Sequence, residues 1–338
     1  MAVAAGGLEG AAAGAPARRG VLLVNLGSPE TATRRAVAAF LREFLLDRRV
    51  VELPRLLWWP LLNGLIIPLR AGRVARSYRA IWTAAGSPLR VHTRQLSEKL
   101  ELALSTRTPA QVRWALTYGR PGIAAQLRGL QDAGAETIVV VPLFPQYSGT
   151  TTAAVYDQVA DFVQRSRRIP DLRVVNGYAD FPDYIAALAA SVRAHWARCG
   201  RGDRLLISCH GIPLRCVALG DPYPRQCEAT AQALAAALRL EPDRWQLSYQ
   251  SRFGRQPWLQ PYTDETLLRW AREGIATVDV ICPAFATDGL ETLAEIAVEN
   301  ARSFRAAGGA ALRLVPCLNA DARHVAVLSA LIEKKFSA

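Results

Sequence analysis

The chain has 338 residues, of which 51% are apolar and 21% charged, so it can bury real cores, has room for two ordinary domains, and is not disordered as a whole. Its formal charge of +12 comes almost entirely from arginines scattered through every segment (the lysines are Lys99, Lys334 and Lys335), and the lack of a dense basic tract argues against a nucleic-acid partner. Six cysteines without short paired spacings suggest a reducing compartment, and hence a cytoplasmic protein.

Residues 1–18, rich in Ala and Gly, read as a disordered tail without the basic start and long apolar run of a signal peptide. Three apolar runs then end in turn signals: "VLLVNLGSP" (21–29), "VRWALTYGRP" (112–121) and "AGAETIVVVPLFP" (133–145). Three later runs answer them in the same order: "RLLISCHGIP" (204–213), "WQLSYQSRFGRQP" (245–257) and "EGIATVDVICPAF" (273–285). Each reads as a short buried parallel strand, with "LRVVNGY" (172–178) and "ALRLVPCLN" (311–319) completing the sheets. Amphipathic stretches between them, such as "PGIAAQLRGLQDAG" and "CEATAQALAAALRL", have helical spacing. The expected fold is α/β: two similar Rossmann-like domains with parallel sheets facing each other across a cleft. Domain limits are expected at 19–170 and 171–320, with a C-terminal helix over 321–338.

Pro29 and Pro142 stand 113 positions apart but Pro213 and Pro283 only 70, so the first half carries 43 additional residues. They contain "LLWWPLLNGLIIPL" (56–69), within an insertion near 45–90. Fourteen residues cannot span a bilayer, and Pro60, Gly64 and Pro68 are expected to break the run. Trp58 and Trp59 beside Arg55, Arg70, Arg73 and Arg76 suit either a membrane interface or a buried helical hairpin; both readings are met by an apolar lip at the cleft mouth.

Ligands of parallel sheets bind past the carboxyl ends of the strands, where the turn motifs "NLGSP", "LFPQYSGTTT", "CHGIP" and "AFATDGLET" collect. No G-x-G-x-x-G opens the first helix and no phosphate loop occurs, which removes support for nucleotide chemistry. Of four histidines, His92, His195 and His324 read as structural, whereas His210 ends a strand beside Gly211 and should face the cleft. Glu291, Glu295 and Glu299 fall on one helical face, preceded by Asp288. A capping box accounts for Asp288 and Glu291 but leaves the stripe unexplained, and a row of carboxylates can pass protons or a hard cation. Cys209, Cys216 and Cys227 have the wrong spacing for a lasting zinc site, and Cys209 alternates away from His210.

These motifs, together with "YRAIWTAAGSPL", "GDPYP" and "QSRFGRQPWLQPYTDE", resemble the ferrochelatase family from about residue 20 to 320, most closely its proteobacterial type. The resemblance implies the chelatase fold and insertion of ferrous iron into protoporphyrin IX to form protohaem. It assigns His210 and Glu291 as catalytic and metal-contacting residues, and Asp288 and Glu295 as members of a proton or metal path. Tyr78, Ser87, Trp258, Leu26 and Phe144 match positions that bind the porphyrin. Gly149 stands where cluster-bearing relatives have cysteine, and the chain ends in "EKKFSA" shortly after its last helix, so no iron–sulfur cluster and no permanently bound cofactor are expected. Gly289 and Thr117 replace a histidine and an arginine of animal enzymes, so roles of those two groups do not transfer. Fe²⁺ and the porphyrin are the implied partners, with peripheral contact between the apolar lip and the inner face of the membrane. Coproporphyrin as substrate, or a tetrapyrrole or haem carrier without turnover, are the alternatives.

Overall fold

The structure, a computed structural model, describes residues 18–254 and 256–337. Apart from Arg18, the tail expected over 1–18 lies outside the described residues. Among the described residues, eight strands form two parallel sheets of four. The first contains β1 (Arg19–Gly27), β2 (Ala110–Tyr118), β3 (Thr137–Pro142) and β4 (Asp171–Val174), in the order β2-β1-β3-β4. In the second, β5 (Arg204–His210), β6 (Trp245–Gln250), β7 (Thr277–Ile281) and β8 (Ala311–Leu314) take the matching order β6-β5-β7-β8. The internal repeat read from the turn signals is therefore a repeat of topology.

In each sheet the first strand is central: Leu23 pairs with Trp114 and Val141, and Ile207 with Leu247 and Ile281. Helices cover both faces, which is why β1 reads as an unbroken apolar run instead of an alternating one. The pleat still divides it. Val21 and Leu23 point to an inner core, Leu22 and Val24 to an outer one. The inner core is continuous from Val21, Leu23 and Val141 to Leu205, Ile207 and Ile281 of the other sheet. Crossed helices bring this about. Helix Pro182–Cys199 follows β4 yet packs on helix Tyr223–Leu238 of the second unit, and helix Ala322–Ser337 follows β8 yet packs on Pro88–Leu104 of the first. Each unit lends its last helix to the other, so the two share one apolar layer.

The domain limit expected at 170/171 needs correction. β4 is hydrogen-bonded to β3, from Thr137↔Asp171 to Val140↔Val174, and so belongs to the first sheet. The segment read as a strand over 172–178 is a four-residue edge strand, like β8, and nothing in so short a run says which sheet it extends.

The insertion between β1 and β2 folds as helix Arg34–Leu46 followed by a helical rod over 55–81. The breaks expected at Pro60, Gly64 and Pro68 do not occur. Residues Leu62–Ile66 widen into π-helix, with Ile67 N–H donating to Leu62 O five residues back, and this shift of register accommodates the missing N–H of Pro68. One face of the rod is core: Trp58 and Leu62 are buried, and Trp58 Nε1 donates to Leu45 O at 2.7 Å. The other face holds Leu56 (91% exposed), Leu57, Trp59, Leu61, Leu65 and Leu69 in solvent. Among the described residues, no helix is long and apolar enough to cross a membrane.

Candidate active site

Both sheets point their carboxyl ends at one cleft. Its walls come from equivalent positions of the repeat. Leu26 in "NLGSP" answers His210 in "CHGIP", and Phe144 in "PLFP" answers Phe285 in "CPAF"; all four line the cleft. Trp258, Phe253, Phe44, Val50 and Leu89 make most of the remaining wall apolar. Polar ties across the floor hold the two units in register. Asn25 Nδ2 donates to Thr287 Oγ1 at 3.0 Å, and Ser148 Oγ and Gly149 N donate to Asp221 Oδ2 at 2.8 Å each.

His210 ends β5 half-buried, while Cys209 points the other way into a core with Ile212, Tyr223 and Cys227, as the alternation requires. Its Nδ1 lies 2.6 Å from Gly211 O. A carbonyl only accepts, so Nδ1 carries the hydrogen and the neutral ring keeps its lone pair on Nε2. The Phe285 ring, 6.2 Å away between centroids, lies beside the imidazole. Gly211 leaves little room for a side chain: a Cβ would sit 3.1 Å from Gln250 O and 3.3 Å from Trp258 Cε3, tighter than most Cβ contacts. The glycine lets Trp258 close against the histidine turn.

Glu291 also lines this cleft, so the two residues singled out as catalytic share one cavity. It opens a π-helix, Glu291–Asn300, instead of the expected α-helix. The stripe survives and runs outward. Glu291 and Glu295 are half-buried and Glu299 is exposed. Glu295 accepts from Ser251 N at 2.8 Å and Ser251 Oγ at 2.5 Å, and Ser251 adopts a left-handed φ of 67° that aims both donors at the carboxylate. Burial raises the Glu295 pKa to about 7, with Ser251 opposing and the Glu291 and Glu299 charges adding to the rise.

Glu295 thereby acquires a pH signature. Folding raises its pKa from 4.5, so the folded chain holds this proton more tightly than the unfolded one. The cost of ionising it is absent below pH 4.5, grows between 4.5 and 7, and is complete above about 7. It is on the order of 3 kcal/mol. Glu295→Gln retains both contacts, since a serine hydroxyl accepts as readily as it donates. Its melting-temperature advantage over the parent is expected to grow between pH 5 and pH 7 and then level off. An advantage independent of pH in thermal melts counts against burial of the charge as its cause.

Other assignments change. Asp288 is buried but does not line the cleft. Its carboxylate accepts from Thr292 Oγ1 at 3.0 Å and Asn319 Nδ2 at 2.7 Å, so its partners are Thr292 and Asn319 and not Glu291. The capping-box spacing misled because the first turn is π-helical. Tyr78 and Ser87 are buried behind the wall: Tyr78 lies beside Ser28 and Glu291, and Ser28 Oγ donates to Ser87 Oγ at 2.6 Å. Burial and the Glu291 charge raise the Tyr78 pKa. Leu26, Phe144 and Trp258 line the cleft, joined by Phe44, Val50, Phe253 and Phe285, which no motif reading had selected. Phe285 was findable as the repeat mate of Phe144.

Among the other histidines, His195 has partners its sequence surroundings did not suggest. Its Nε2 lies 3.3 Å from Asp279 Oδ1 and 3.3 Å from Cys199 Sγ, four residues on along the same helix. Asp279 is fully buried and also binds Trp196 and Arg313, a brace inside the second unit. His324 is buried with its pKa lowered to about 4, and His92 is half-buried with its pKa lowered by burial. Among the described residues, no group of three or more His, Cys, Asp or Glu side chains is placed to hold a metal ion. The cleft itself offers two candidate donors, His210 Nε2 and the Glu291 carboxylate.

A family model described as Ferrochelatase matches residues 18–336. Proteins named Ferrochelatase match from Aromatoleum aromaticum (49% identity, 95% of this chain and 89% of that one), Edwardsiella ictaluri (51%, 93% and 97%) and Vibrio cholerae (49%, 93% and 97%). Among solved structures, SirB from Bacillus subtilis with Fe³⁺ superposes with a TM-score of 0.56 at 10% identity, covering 94% of this chain and 95% of that one. The sirohydrochlorin chelatase SirB from Bacillus subtilis subspecies spizizenii, in complex with cobalt, gives 0.55 at 11%, covering 94% and 96%. At such identities the likeness is one of fold.

Proposed function

The chain belongs to the ferrochelatase family and inserts ferrous iron into a porphyrin for haem synthesis, and from that premise we propose that its porphyrin is protoporphyrin IX, bound between His210 and Glu291. The observation that carries this reading is one apolar cleft lined by both an imidazole with a free Nε2 and a carboxylate. Metalation must remove two pyrrole protons and bring Fe²⁺, the second substrate, to four inward nitrogens. A flat ring shields those nitrogens. A cleft held by cross-floor hydrogen bonds favours a buckled ring if its walls fit that shape better, which lowers the barrier.

In this reading His210 Nε2 takes a pyrrole proton at neutral pH. Glu291 takes protons on the other side and hands them to Glu295, whose pKa near 7 suits both gain and loss of a proton, and then to Glu299 at the surface. Apolar walls from Phe44, Val50 and Leu89 suit the vinyl groups of protoporphyrin better than the two additional carboxylates of coproporphyrin. Following Fe²⁺ or Zn²⁺ insertion into each porphyrin by absorbance tests this: protoporphyrin should have the higher kcat/KM, and a preference for coproporphyrin overturns the assignment.

The lip supplies a second element of the reading, peripheral contact with the membrane that holds an apolar substrate. Leu56, Leu57, Trp59, Leu61, Leu65 and Leu69 stand in solvent with Arg55, Arg70, Arg73 and Arg76 around them. Trp58 and Leu62 are core and must be spared by any test. Changing Leu56, Leu57, Trp59 and Leu65 to serine should weaken liposome flotation while zinc insertion into detergent-solubilised porphyrin stays near parental. Unchanged flotation by the folded variant defeats the lipid contact.

A further inference from the structure

Gln250, the last residue of β6, is Cα-paired with His210 across the sheet and is buried without lining the cleft. Its main-chain oxygen accepts the Gly211 N–H at 2.8 Å, beside the carbonyl that fixes the His210 tautomer. Its side-chain Nε2 donates to Glu291 O at 3.0 Å. The amide cannot be turned round, because Glu291 O is a carbonyl and only accepts, so Nε2 must face it; on the other side Oε1 accepts from Ser208 Oγ at 2.7 Å and Cys282 Sγ at 3.5 Å. One residue thus fastens the histidine turn through its main chain and the start of the π-helix through its side chain. That contact matters because a π-helix is rare, and Gln250 adds a tie from a separate strand to the turn that Asp288, Thr292 and Asn319 close.

We propose that Gln250 is a positioning residue for metal insertion: its amide holds the first turn of the π-helix so that Glu291 keeps a set separation from His210. The inference rests on the reading of His210 and Glu291 as the working pair. Gln250 touches neither substrate, so its removal should leave the porphyrin walls intact and spoil only the alignment.

Zinc insertion into protoporphyrin, porphyrin binding and thermal melting would be measured for Gln250→Met, Gln250→Asn and Ser208→Ala, and for Gln250→Met in a Glu291→Gln background. Gln250→Met should lower kcat by roughly 10- to 100-fold, the scale of a misplacement near 1 Å, with porphyrin KM and Kd unchanged. Gln250→Asn keeps the polarity but withdraws the amide by one carbon, so it should show the same loss and covers the case in which Met does not fold. Ser208→Ala leaves the bond to Glu291 O intact and should stay near the parental rate. In the Glu291→Gln background, Gln250→Met should add little, since the group it positions is already disabled. Parental kcat in Gln250→Met or Gln250→Asn overturns the proposal, and so does an equal fold-loss in both backgrounds. If Glu291→Gln alone keeps the parental rate, the catalytic reading fails first, a result distinct from either.

Discussion

His210→Ala is expected to lower metal insertion by about 10²- to 10⁴-fold, the usual contribution of a positioned base, while porphyrin still binds. The imidazole offers Nε2 to the cleft because Nδ1 is committed to Gly211 O, and among the residues lining this cavity no other histidine can replace it. Alanine removes the lone pair but leaves Leu26, Phe144, Trp258 and Phe285, so the macrocycle keeps its apolar walls. Folding should survive, because His210 is half-buried at a strand end and its ring makes one hydrogen bond to an adjacent residue. Added imidazole should restore part of the rate by filling the space opposite Phe285. Near-parental insertion by His210→Ala, or loss of porphyrin binding in step with loss of rate, would remove the histidine from the chemistry.

Much of the fold was legible because a parallel sheet covered on both faces demands apolar, β-branched runs that end in Gly or Pro. Such runs announce their strands individually, and their repetition in order announced the matching topology. The crossed helices were not legible. Helices Pro182–Cys199 and Ala322–Ser337 have apolar faces, but nothing in a face says which sheet it will cover. The limit set at 170/171 has the same origin, since the strand read over 172–178 does not say which sheet it will join, and it pairs with β3. The lip was legible as apolar but not as to side. An apolar run without periodicity conceals that Trp58 and Leu62 turn inward while Leu57, Leu61 and Leu65 turn outward.

The site was legible where a residue's role depends on its place at a strand end. His210 was singled out for that reason, Cys209 was set apart by alternation, and Leu26 and Phe144 entered through the family resemblance. Side chains whose role depends on helical pitch were read less well. Counting by 3.6 placed Asp288 with Glu291, whereas the wider π turn gave Asp288 to Thr292 and Asn319. Tyr78 was marked through the family resemblance as porphyrin-lining; it is buried next to Glu291. Phe44 and Val50 were invisible because the insertion that carries them has no counterpart in the repeat to compare with.

Glu291→Gln is expected to cut turnover by about 10²- to 10⁴-fold without unfolding the protein. The substitution preserves volume and leaves the main chain where it is, since Gln250 Nε2 binds the Glu291 carbonyl and not its carboxylate. The local turn is closed by Asp288, Thr292 and Asn319, which the change does not touch. Loss of a capping contribution could cost only about 1 kcal/mol, and the side chain makes no such cap here. What disappears is a group that can hold a proton or face a divalent cation. The first link of the stripe toward Glu295 and Glu299 goes with it. Porphyrin binding should persist, and the Tyr78 phenol should titrate lower once the neighbouring charge is gone. Glu295→Gln should cost less, because it stands further along the same row and does not line the cleft. Should Glu291→Gln retain the parental kcat for zinc and iron alike, the carboxylate row is a feature of the fold and the protons leave by another way.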